Sequence, residues 1–528
     1  MEKANLPDIL AFYLPQFHET EDNNLWWGKG FTEWEAVKTS ETCFPGHQEP
    51  RVPLNGNYYD LSRKETMEWQ AGLAKQYGIS GFCFYHYYFK DGKKELELPA
   101  ENLLRWTDID MPFCFNWAHD SWIRSWSRLN GLVWAEKHET ADNGNQNGVL
   151  AEQDYGTYGD WVRHFEYLLP FFRDPRYIKK DGKPVFLFYK PNNIGPLQKM
   201  TECWRNLAME AGLPGLYLVG EHLNAPDSAL DAALVHEPRN SMDLLNNAGR
   251  TVIRNGVRCY EYQEVWETIL ETEPIWGYKT YFCGAAGYDD TPRRGNRGES
   301  LVHHSPDVFR KHLTELVRKS CRQENEFLFL NAWNEWGEGM YLEPDEEDGF
   351  RYLEAVRDAV REAAAKPEPA EETSGADLMK KRLDTLEYES RKYRQMARIL
   401  EKWLYLEQEN GVSLLGFFQK EQIRHVAVYG MAELGKRLLA QLRKENLDVR
   451  FGIDRSSVGQ LGSGFVVCRP EDEFPDVDAI IITACDTASI ERMLRKKFRG
   501  NIYTVEEVVD TMLRNAEELN GPNDQGKH

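Results

Sequence analysis

Two glutamates with two residues between them, Glu335 and Glu338, lie in the segment from Asn331 to Gly339. They follow the apolar run from Glu326 to Leu330, which has the length and aromatic content of a buried strand. A carboxylate at the end of a core strand must be solvated, paired or tuned for proton transfer. Paired carboxyls beside tryptophans are typical of sugar sites, in which rings cover the pyranose and acids act on the glycosidic oxygen. The alternative interpretation is a surface turn with two solvated glutamates.

Glycosidic-bond chemistry needs one protonated carboxyl to donate to the leaving oxygen and one ionised carboxyl to assist on the sugar. Packing one glutamate against Trp333 or Trp336 would desolvate it and raise its pKa. Hydrogen bonds from residues such as Tyr13 or Asn334 would keep the other ionised. We therefore predict that Glu335 and Glu338 are catalytic.

The first 335 residues contain eight apolar runs with helix-like stretches between them, such as Lys64 to Tyr77 and Pro306 to Arg322. Most runs are almost continuously hydrophobic, as expected for parallel strands that are buried on both faces. This alternation predicts an α/β protein with a (β/α)8 barrel of the TIM type. The predicted strands are Ile9 to Leu14, Gly81 to Tyr87, Pro112 to Trp117, Val185 to Tyr189, Leu216 to Val219, Ala232 to His236, Thr280 to Gly284, and Glu326 to Leu330.

Polar and aromatic residues follow several of these strands, at the end of the barrel where reactive residues collect. His86 is interpreted equally well as a core histidine. For each tryptophan taken singly loop packing is favoured, whereas the group of tryptophans is expected to include a sugar platform. Arg293 and Arg294 could bind an anionic group, although a solvated loop pair is favoured. The predicted substrate-binding residues are Tyr13, His18, Trp26, Trp27, His86, Tyr87, Asn116, Trp117, Trp126, Glu237, Asn334 and Trp336.

Composition limits the partners and the compartment. The net charge of -21 argues against nucleic acid, because counterion release requires clustered Lys and Arg. The sequence has no apolar stretch long enough to span a membrane, so no membrane span is predicted. The N-terminus does not have a basic segment followed by an apolar one, so no signal peptide is predicted. We therefore expect a cytoplasmic protein. The nine cysteines form no C-x-x-C pair, which indicates reduced thiols and no zinc site. No metal or other cofactor is predicted.

Beyond residue 360 the composition changes. Residues 361–376 are rich in Ala, Pro and Glu and predict a linker, and residues 377–410 predict a long helix. The helix has a heptad-like seam of Met379, Leu383, Leu386, Ser390, Tyr393, Ala397, Leu400 and Leu404. It could form a homodimer through residues 377–408 or pack on its own chain.

Residues 420–515 predict a Rossmann-like domain. Gly430 and Gly435 occupy the first and third glycine positions of the dinucleotide fingerprint, and Asp454 lies where an acid could hold a ribose. Ala432 replaces the second glycine, so we expect weak or absent nucleotide binding.

Six separated motifs occur in the chain: Tyr13 to His18, Trp26 to Trp34, Gly46 to Gln48, Gly81 to Tyr87, Pro292 to Arg294, and Trp333 to Gly339. In this order they resemble the WbsX family of proteins similar to glycoside hydrolase family 99. The resemblance spans about residues 7 to 360, so residues 1–360 are assigned to this barrel. It implies a (β/α)8 barrel related to endo-α-mannosidases, with Glu335 as the base on the sugar 2-hydroxyl and Glu338 as the general acid. The third strand departs from the family pattern, because Trp117 to Asp120 reads Trp-Ala-His-Asp.

The favoured function is a carbohydrate-active enzyme that acts on an oligosaccharide or polysaccharide. The family resemblance implies a bacterial cell-surface polysaccharide of the lipopolysaccharide O-antigen or capsule type. It leaves open a glycosyltransferase and an endo-acting glycoside hydrolase. The alternatives are a non-catalytic glycan-binding barrel, and an oxidoreductase or nucleotide-sugar-dependent transferase that uses the C-terminal module.

Overall fold

The structure is a computed structural model that describes residues 6–123, 149–365, 394–407, 411–431, 433–454, 459–461, 465–470, 472–484 and 487–519. The chain divides into two compact units, Met1–Pro367 and Glu368–His528, which are described separately. Among the described helices, none combines the length and apolarity needed to cross a membrane.

The first unit is built on a parallel sheet whose strands we number in chain order. They are Asp8–Tyr13 (β1), Gly81–Tyr88 (β2), Phe113–Trp117 (β3), Lys183–Phe188 (β4), Tyr217–Glu221 (β5), Ala232–Leu234 (β6), Thr280–Tyr281 (β7), Cys283–Ala285 (β8) and Phe327–Asn331 (β9). The order in the sheet is β7-β6-β5-β4-β3-β2-β1-β9-β8. Only Phe282 separates the two edge pieces, β7 and β8, so the described sheet closes as a barrel whose seventh strand is in two parts. The predicted (β/α)8 barrel is confirmed.

Side-chain contacts divide the strand residues between the barrel interior and the surrounding helices, with the period of two that strands impose. Phe12 of β1 contacts His236, which follows the non-adjacent strand β6, at 6.2 Å, and this contact crosses the interior. Tyr85 stacks on Phe12 at 5.5 Å and therefore faces the interior as well. The next residue, His86, contacts His164 of the helix Tyr158–Arg173, outside the barrel.

Helices cover the outside of the barrel, and short strands decorate its loops. The helix Pro306–Arg322 begins with a Ser305 cap that accepts from the Val308 N–H, followed by Pro306 in the first turn. The other helices among the described residues of this unit are Glu21–Trp27, Trp34–Lys38, Lys64–Gln76, Leu98–Arg105, Tyr158–Arg173, Leu197–Glu210, Arg239–Asn247, Tyr262–Glu271, Thr291–Arg294 and Arg351–Ala365. The short strands are Lys94–Glu95, Trp122–Ile123, Val149–Ala151, Lys179–Lys180, Val252–Arg254, Val257–Glu261, Glu299–Val302, Asn334–Glu335 and Met340–Tyr341.

The described part of the second unit is a doubly wound α/β domain. Its parallel strands are His425–Tyr429, Asp448–Ile453, Phe465–Cys468, Ala479–Ile482 and Asn501–Thr504, and Gly459–Leu461 pairs antiparallel with the third. Numbered along the chain, the parallel strands lie in the order 3-2-1-4-5, which is the Rossmann order. The helices are Leu415–Lys420, Glu433–Lys444, Thr487–Leu494 and Val505–Leu519.

Residues 394–407 form the described part of the predicted long helix. Ile399, Trp403 and Leu406 are buried in the core of the second unit, so this part packs on its own chain. Of the predicted seam, Leu400 is half-buried against the same core, while Ala397 and Leu404 are exposed. The seam residues before 394 lie outside the described residues, and the homodimer stays a prediction.

Candidate active site

Glu335 and Glu338 lie in a tight hairpin that directly follows β9. The strand Asn334–Glu335 pairs antiparallel with Met340–Tyr341, and a single 3-10 turn, Trp336–Glu338, joins them. Gly339 adopts a left-handed φ of 58°, and a Cβ there would lie 2.8 Å from the Cβ of Asp289. The Asp289 N–H donates to the Glu338 carbonyl oxygen at 2.6 Å. Glycine is therefore required for the turn to close against the segment after β8.

Gly337, the first glycine of the hairpin, lets two charged side chains approach the turn. A Cβ on Gly337 would lie 1.9 Å from Oε1 of Glu33 and 3.0 Å from Nε of Arg293. The Trp-Gly-Glu-Gly sequence thus provides the space in which Glu33 and Arg293 reach the candidate pair.

The guanidinium of Arg293 joins three carboxylates at this site. Its Nε donates to Glu33 Oε1 at 2.7 Å and its Nη2 to Glu335 Oε2 at 3.2 Å, while Nη1 binds Glu338 Oε1. The side chains of Arg293, Glu33, Glu335 and Glu338 are 19%, 2%, 8% and 28% exposed. The solvated-loop interpretation of Arg293 is therefore wrong, because this residue is the ionic centre of the hairpin.

One guanidinium cannot neutralise three carboxylates in a buried site. Burial, and next the charge of Glu338, raise the pKa of Glu335 to about 8, although Arg293 acts in the opposite direction. Glu335 therefore keeps its proton near neutral pH while it lies beside a more exposed carboxyl. Glycosidic-bond chemistry requires two carboxyls in different protonation states, and a raised pKa on one glutamate of a pair is one way to obtain them.

Neutral hydroxyl groups line the barrel interior near this pair. Burial, followed by the charge of Glu335, raises the pKa of both Tyr85 and Tyr87. Burial, with the charges of Glu221 and Glu338, also raises the pKa of Tyr189. Of the three, only Tyr87 was predicted as a site residue. Tyr85 was missed: it lies two residues before Tyr87 and so on the same face of β2, but a strand that is apolar on both faces does not indicate which face points inward.

A hydrogen-bonded group of three residues joins the ends of β3, β5 and β6. Asn116 Nδ2 donates to Glu221 Oε1 at 2.7 Å, and His236 Nδ1 lies 2.8 Å from Glu221 Oε2. Burial raises the pKa of Glu221 to about 8 and lowers the pKa of His236 to about 4, so the pair shares one proton and has no net charge. Asn116 was predicted, whereas Glu221 was missed although it follows an apolar strand and precedes His222.

Asn334, one of the predicted substrate-binding residues, supports the hairpin from behind. Its Oδ1 accepts from the Leu14 N–H at 2.8 Å and its Nδ2 donates to the Leu14 carbonyl at 3.0 Å. The residue has no exposed surface. These two hydrogen bonds fix the hairpin to the end of β1. In this arrangement the Asn334 side chain is not accessible to a sugar.

Trp336 and Tyr13 belong to a buried network around Glu343. Trp336 Nε1 donates to Glu343 Oε2 at 2.7 Å, and Gln70 Nε2 donates to Glu343 Oε1 at 2.7 Å. The Tyr13 hydroxyl donates to Gln70 Oε1 at 2.6 Å. Trp336 is 1% exposed and Tyr13 is 0% exposed. The structure therefore places both predicted site residues in the packing beneath the hairpin.

His86 and Trp117 lie on the helix-facing side of their strands. His86 Nε2 is 2.8 Å from His164 Nε2, and burial lowers the pKa of His86 to about 3. Trp117 Nε1 donates to the Tyr88 carbonyl at 3.0 Å. The core interpretation of His86 matches this placement.

The carboxylate of Glu237 accepts hydrogen bonds from the helix that follows it. Its Oε2 accepts from the Ser241 N–H at 3.0 Å and its Oε1 from Asn240 Nδ2 at 3.1 Å. Burial raises the pKa of Glu237 to about 7. The carboxyl thus satisfies the first turn of Arg239–Asn247.

The loop after β1 contains three more predicted residues. Burial lowers the pKa of His18, whose Nδ1 is a buried atom without a hydrogen-bond partner among the described residues. Trp26 and Trp27 are buried in a small cluster, and Trp122 contacts Trp26 at 6.0 Å and Tyr87 at 5.0 Å. Trp126 lies outside the described residues.

The candidate nucleotide turn of the second unit is tight. Gly430 has a φ of 91°, and a Cβ on Gly435 would lie 1.8 Å from the Gly430 carbonyl oxygen. Asp454 Oδ2 accepts from the Met431 N–H at 2.5 Å, so this carboxylate binds the turn itself. Ala432 lies outside the described residues, and weak or absent nucleotide binding stays a prediction.

Known proteins resemble the barrel part of the chain. The family model described as Glycosyltransferase WbsX matches residues 9–356. Two proteins named Uncharacterized protein WxcX, from two strains of Xanthomonas campestris pv. campestris, are each 32% identical over 364 residues, which cover 67% of this chain and 50% of theirs. The chain therefore spans about half the length of these curated relatives.

Solved structures resemble the chain more distantly. A glycoside hydrolase-like protein has a TM-score of 0.42 and 14% identity, with 68% of this chain and 95% of the other covered. The GH99 endo-alpha-mannosidase from Bacteroides thetaiotaomicron has a TM-score of 0.41 and 13% identity, with 68% of this chain and 98% of the other covered.

Proposed function

Because the chain belongs to the WbsX glycosyltransferase family, we propose that it is a carbohydrate-active enzyme that acts on glycosidic bonds with Glu335 and Glu338. The observation that carries this proposal is the Arg293 centre, in which one guanidinium contacts both carboxylates and also Glu33. Three acids around one cation leave a proton within the group, and this proton can serve the leaving group.

The two glutamates divide the chemistry in the proposed mechanism. The general acid protonates the leaving glycosidic oxygen as its bond to the anomeric carbon breaks. In the mechanism that the family resemblance implies, the base accepts the proton of the sugar 2-hydroxyl while that oxygen bonds to the anomeric carbon, which gives an anhydro sugar that water or an acceptor hydroxyl then opens. The family resemblance assigns the base to Glu335 and the acid to Glu338. In the free protein burial raises the pKa of Glu335 to about 8, so Glu335 holds the proton before substrate binds.

Substrate binding must therefore move this proton in the proposed mechanism. A sugar hydroxyl that donates to Glu335 stabilises its ionised form, because a hydrogen bond to a carboxylate lowers its pKa. The proton then passes to Glu338, the more exposed of the two at 28%, which can then protonate the leaving oxygen. Tyr85 and Tyr87 are neutral donors close to Glu335 that can hold the sugar during this exchange.

The proposed substrate is a bacterial cell-surface polysaccharide of the lipopolysaccharide O-antigen or capsule type. Glycosyl transfer and endo-hydrolysis begin with the same bond cleavage. The acceptor decides between them, since water gives a free reducing end and a sugar hydroxyl gives a new glycosidic bond. The same Glu335/Glu338 pair serves both outcomes.

Product analysis tests this proposal. The protein would be incubated with a panel of lipid-linked and free oligosaccharides in 18O-labelled water, and the products would be identified by mass spectrometry. Hydrolysis places the label at a new reducing end, whereas transfer gives a longer, unlabelled saccharide. Loss of either product in Glu335→Gln and Glu338→Gln is expected. Glu264→Gln, a surface glutamate paired with Arg250, is the control that should retain activity. The absence of any product from the whole panel, or equal products from all variants, would contradict the proposal.

A further inference from the structure

A second set of reactive side chains lies at the carboxyl ends of β5 and β6, apart from the Arg293 centre. A carboxylate oxygen of Glu221 and ring nitrogens of His222 and His236 lie within 4.8 Å of one another. We propose that these three residues bind a divalent first-row transition-metal ion, such as Zn²⁺ or Mn²⁺. Nothing in the glycosidic chemistry above requires such an ion, so this site would be an additional property of the barrel.

The donor set has the right chemistry for this class of ion. Two imidazoles with one carboxylate are a recurrent ligand combination for zinc and iron, and such sites keep positions open for water or substrate. Glu221 Oε2 and His236 Nδ1 are 2.8 Å apart, so a small movement of either side chain would let both atoms contact one ion with bonds of about 2.1 Å. Glu221 and His236 would bind the ion in their deprotonated forms, so binding would release any proton that they hold.

Surrounding groups hold the proposed ligands in place. Asn116 Nδ2 donates at 2.7 Å to the Glu221 oxygen that His236 does not contact, which fixes the carboxylate as outer partners of metal ligands do. Asn116 and Glu221 have no exposed surface. Among the described residues, His222 Nε2 is a buried atom that has no hydrogen-bond partner. A buried ring nitrogen without a partner is a donor or acceptor that a ligand would satisfy.

Two nearby cations do not exclude an ion from this position. Lys190 faces Asp120 at 3.9 Å, and Arg239 donates to Glu299 at 2.6 Å, so each has its own carboxylate. His222 is partly exposed, which gives an ion a route from solvent and leaves a face for an oxygen ligand. The chemical class of that oxygen ligand would be a sugar diol or a substrate carboxylate.

A second group of potential metal ligands is formed by His47, Glu49 and Asp289. In this group the hydrogen-bonding capacity of the Asp289 carboxylate is already used within the protein. Asp289 Oδ2 accepts from His47 Nε2 and from Ser300 Oγ, each at 2.8 Å, and Asp289 Oδ1 accepts from Thr291 Oγ1 at 2.6 Å. This carboxylate is fully hydrogen-bonded within the protein, so we do not propose a metal there.

Calorimetry on the full chain after chelator treatment tests the proposal, with Zn²⁺ and Mn²⁺ as the titrants. The expected result is one ion per chain, with affinity reduced at least about tenfold in His222→Asn and in Glu221→Gln. His222 has a φ of 55°, and asparagine tolerates this left-handed conformation. The matched control is His303→Asn, an exposed histidine with a φ of 59° beside Glu261, which should leave binding unchanged.

Two results would overturn the proposal. One is the absence of saturable binding of either ion to the wild type. The other is binding that persists at equal affinity in both His222→Asn and Glu221→Gln. The titration needs no substrate, so it can fail while Glu335→Gln still loses activity, and the two proposals are separable. Circular dichroism of the variants establishes that they are folded before titration.

Discussion

Replacing Glu335 with glutamine should change how the stability of the protein depends on pH. Burial and the charge of Glu338 raise the pKa of Glu335 from the ordinary 4.5 to about 8. Between these values the folded protein binds this proton more tightly than the unfolded chain does. The wild type therefore loses stability as pH rises through that window, by about 1.4 kcal/mol per pH unit, or several kcal/mol in total. Glutamine has nearly the same shape and cannot ionise, so the variant is free of this loss.

The assay is urea unfolding of the wild type and Glu335→Gln at about pH 5, 7 and 9, followed by tryptophan fluorescence. The two proteins should be similarly stable at about pH 5, and the variant should be more stable by several kcal/mol at about pH 9. Glu264→Gln should follow the wild type at every pH, because that side chain is paired on the surface. Parallel curves for the wild type and Glu335→Gln would refute the reasoning that Glu335 holds a proton in the folded protein.

Three further changes test individual parts of the account. Tyr13→Phe removes a buried hydrogen bond to Gln70, so the free energy of unfolding should fall by about 1 kcal/mol while kcat/KM stays unchanged. A large rise in KM would instead show that Tyr13 contacts the substrate. A protein that ends at Gly375 should keep a cooperative melting transition, because the unit Met1–Pro367 contains the closed barrel, and a broad transition would contradict this. Leu404 is 37% exposed, so Leu404→Lys should leave the chain folded. If the predicted seam forms a homodimer, the charge should convert the dimer to monomers in sedimentation. A dimer that persists in this variant would exclude this seam as the interface.

The barrel and the position of the glutamates could be predicted because both depend on local sequence. Apolar runs of strand length alternate with helix-like stretches, and this pattern alone indicates parallel strands covered by helices. Glu335 and Glu338 follow the last run directly, so their place at the carboxyl end of the barrel was determined by chain order. The glycines on either side of Glu338 indicated a tight turn at the same point.

The direction in which each side chain points could not be predicted in the same way. A strand that is apolar on both faces gives no parity signal, so His86 was as good a candidate as Tyr85, and a shift of one residue exchanges the two faces. The structure resolves this, because Tyr85 stacks on Phe12 whereas His86 contacts His164.

Contacts between segments that are distant in the sequence could not be predicted either. Arg293 and Glu33 are separated by 260 residues, and their contact exists only because the barrel brings the loops after β1 and β8 together. The burial of Asn334 against Leu14, with a sequence separation of 320, has the same origin. A sequence motif therefore does not distinguish a residue that contacts the sugar from one that, like Asn334, packs beneath the site.

The most direct test of the central claim is the turnover of Glu335→Gln and Glu338→Gln on the glycan that the wild type processes. Each variant should lose at least about a hundredfold in kcat, with ligand binding nearly intact, because removing a positioned acid or base costs roughly 10² to 10⁴ in rate. Wild-type turnover in both variants would contradict the assignment of glycosidic-bond chemistry to this pair.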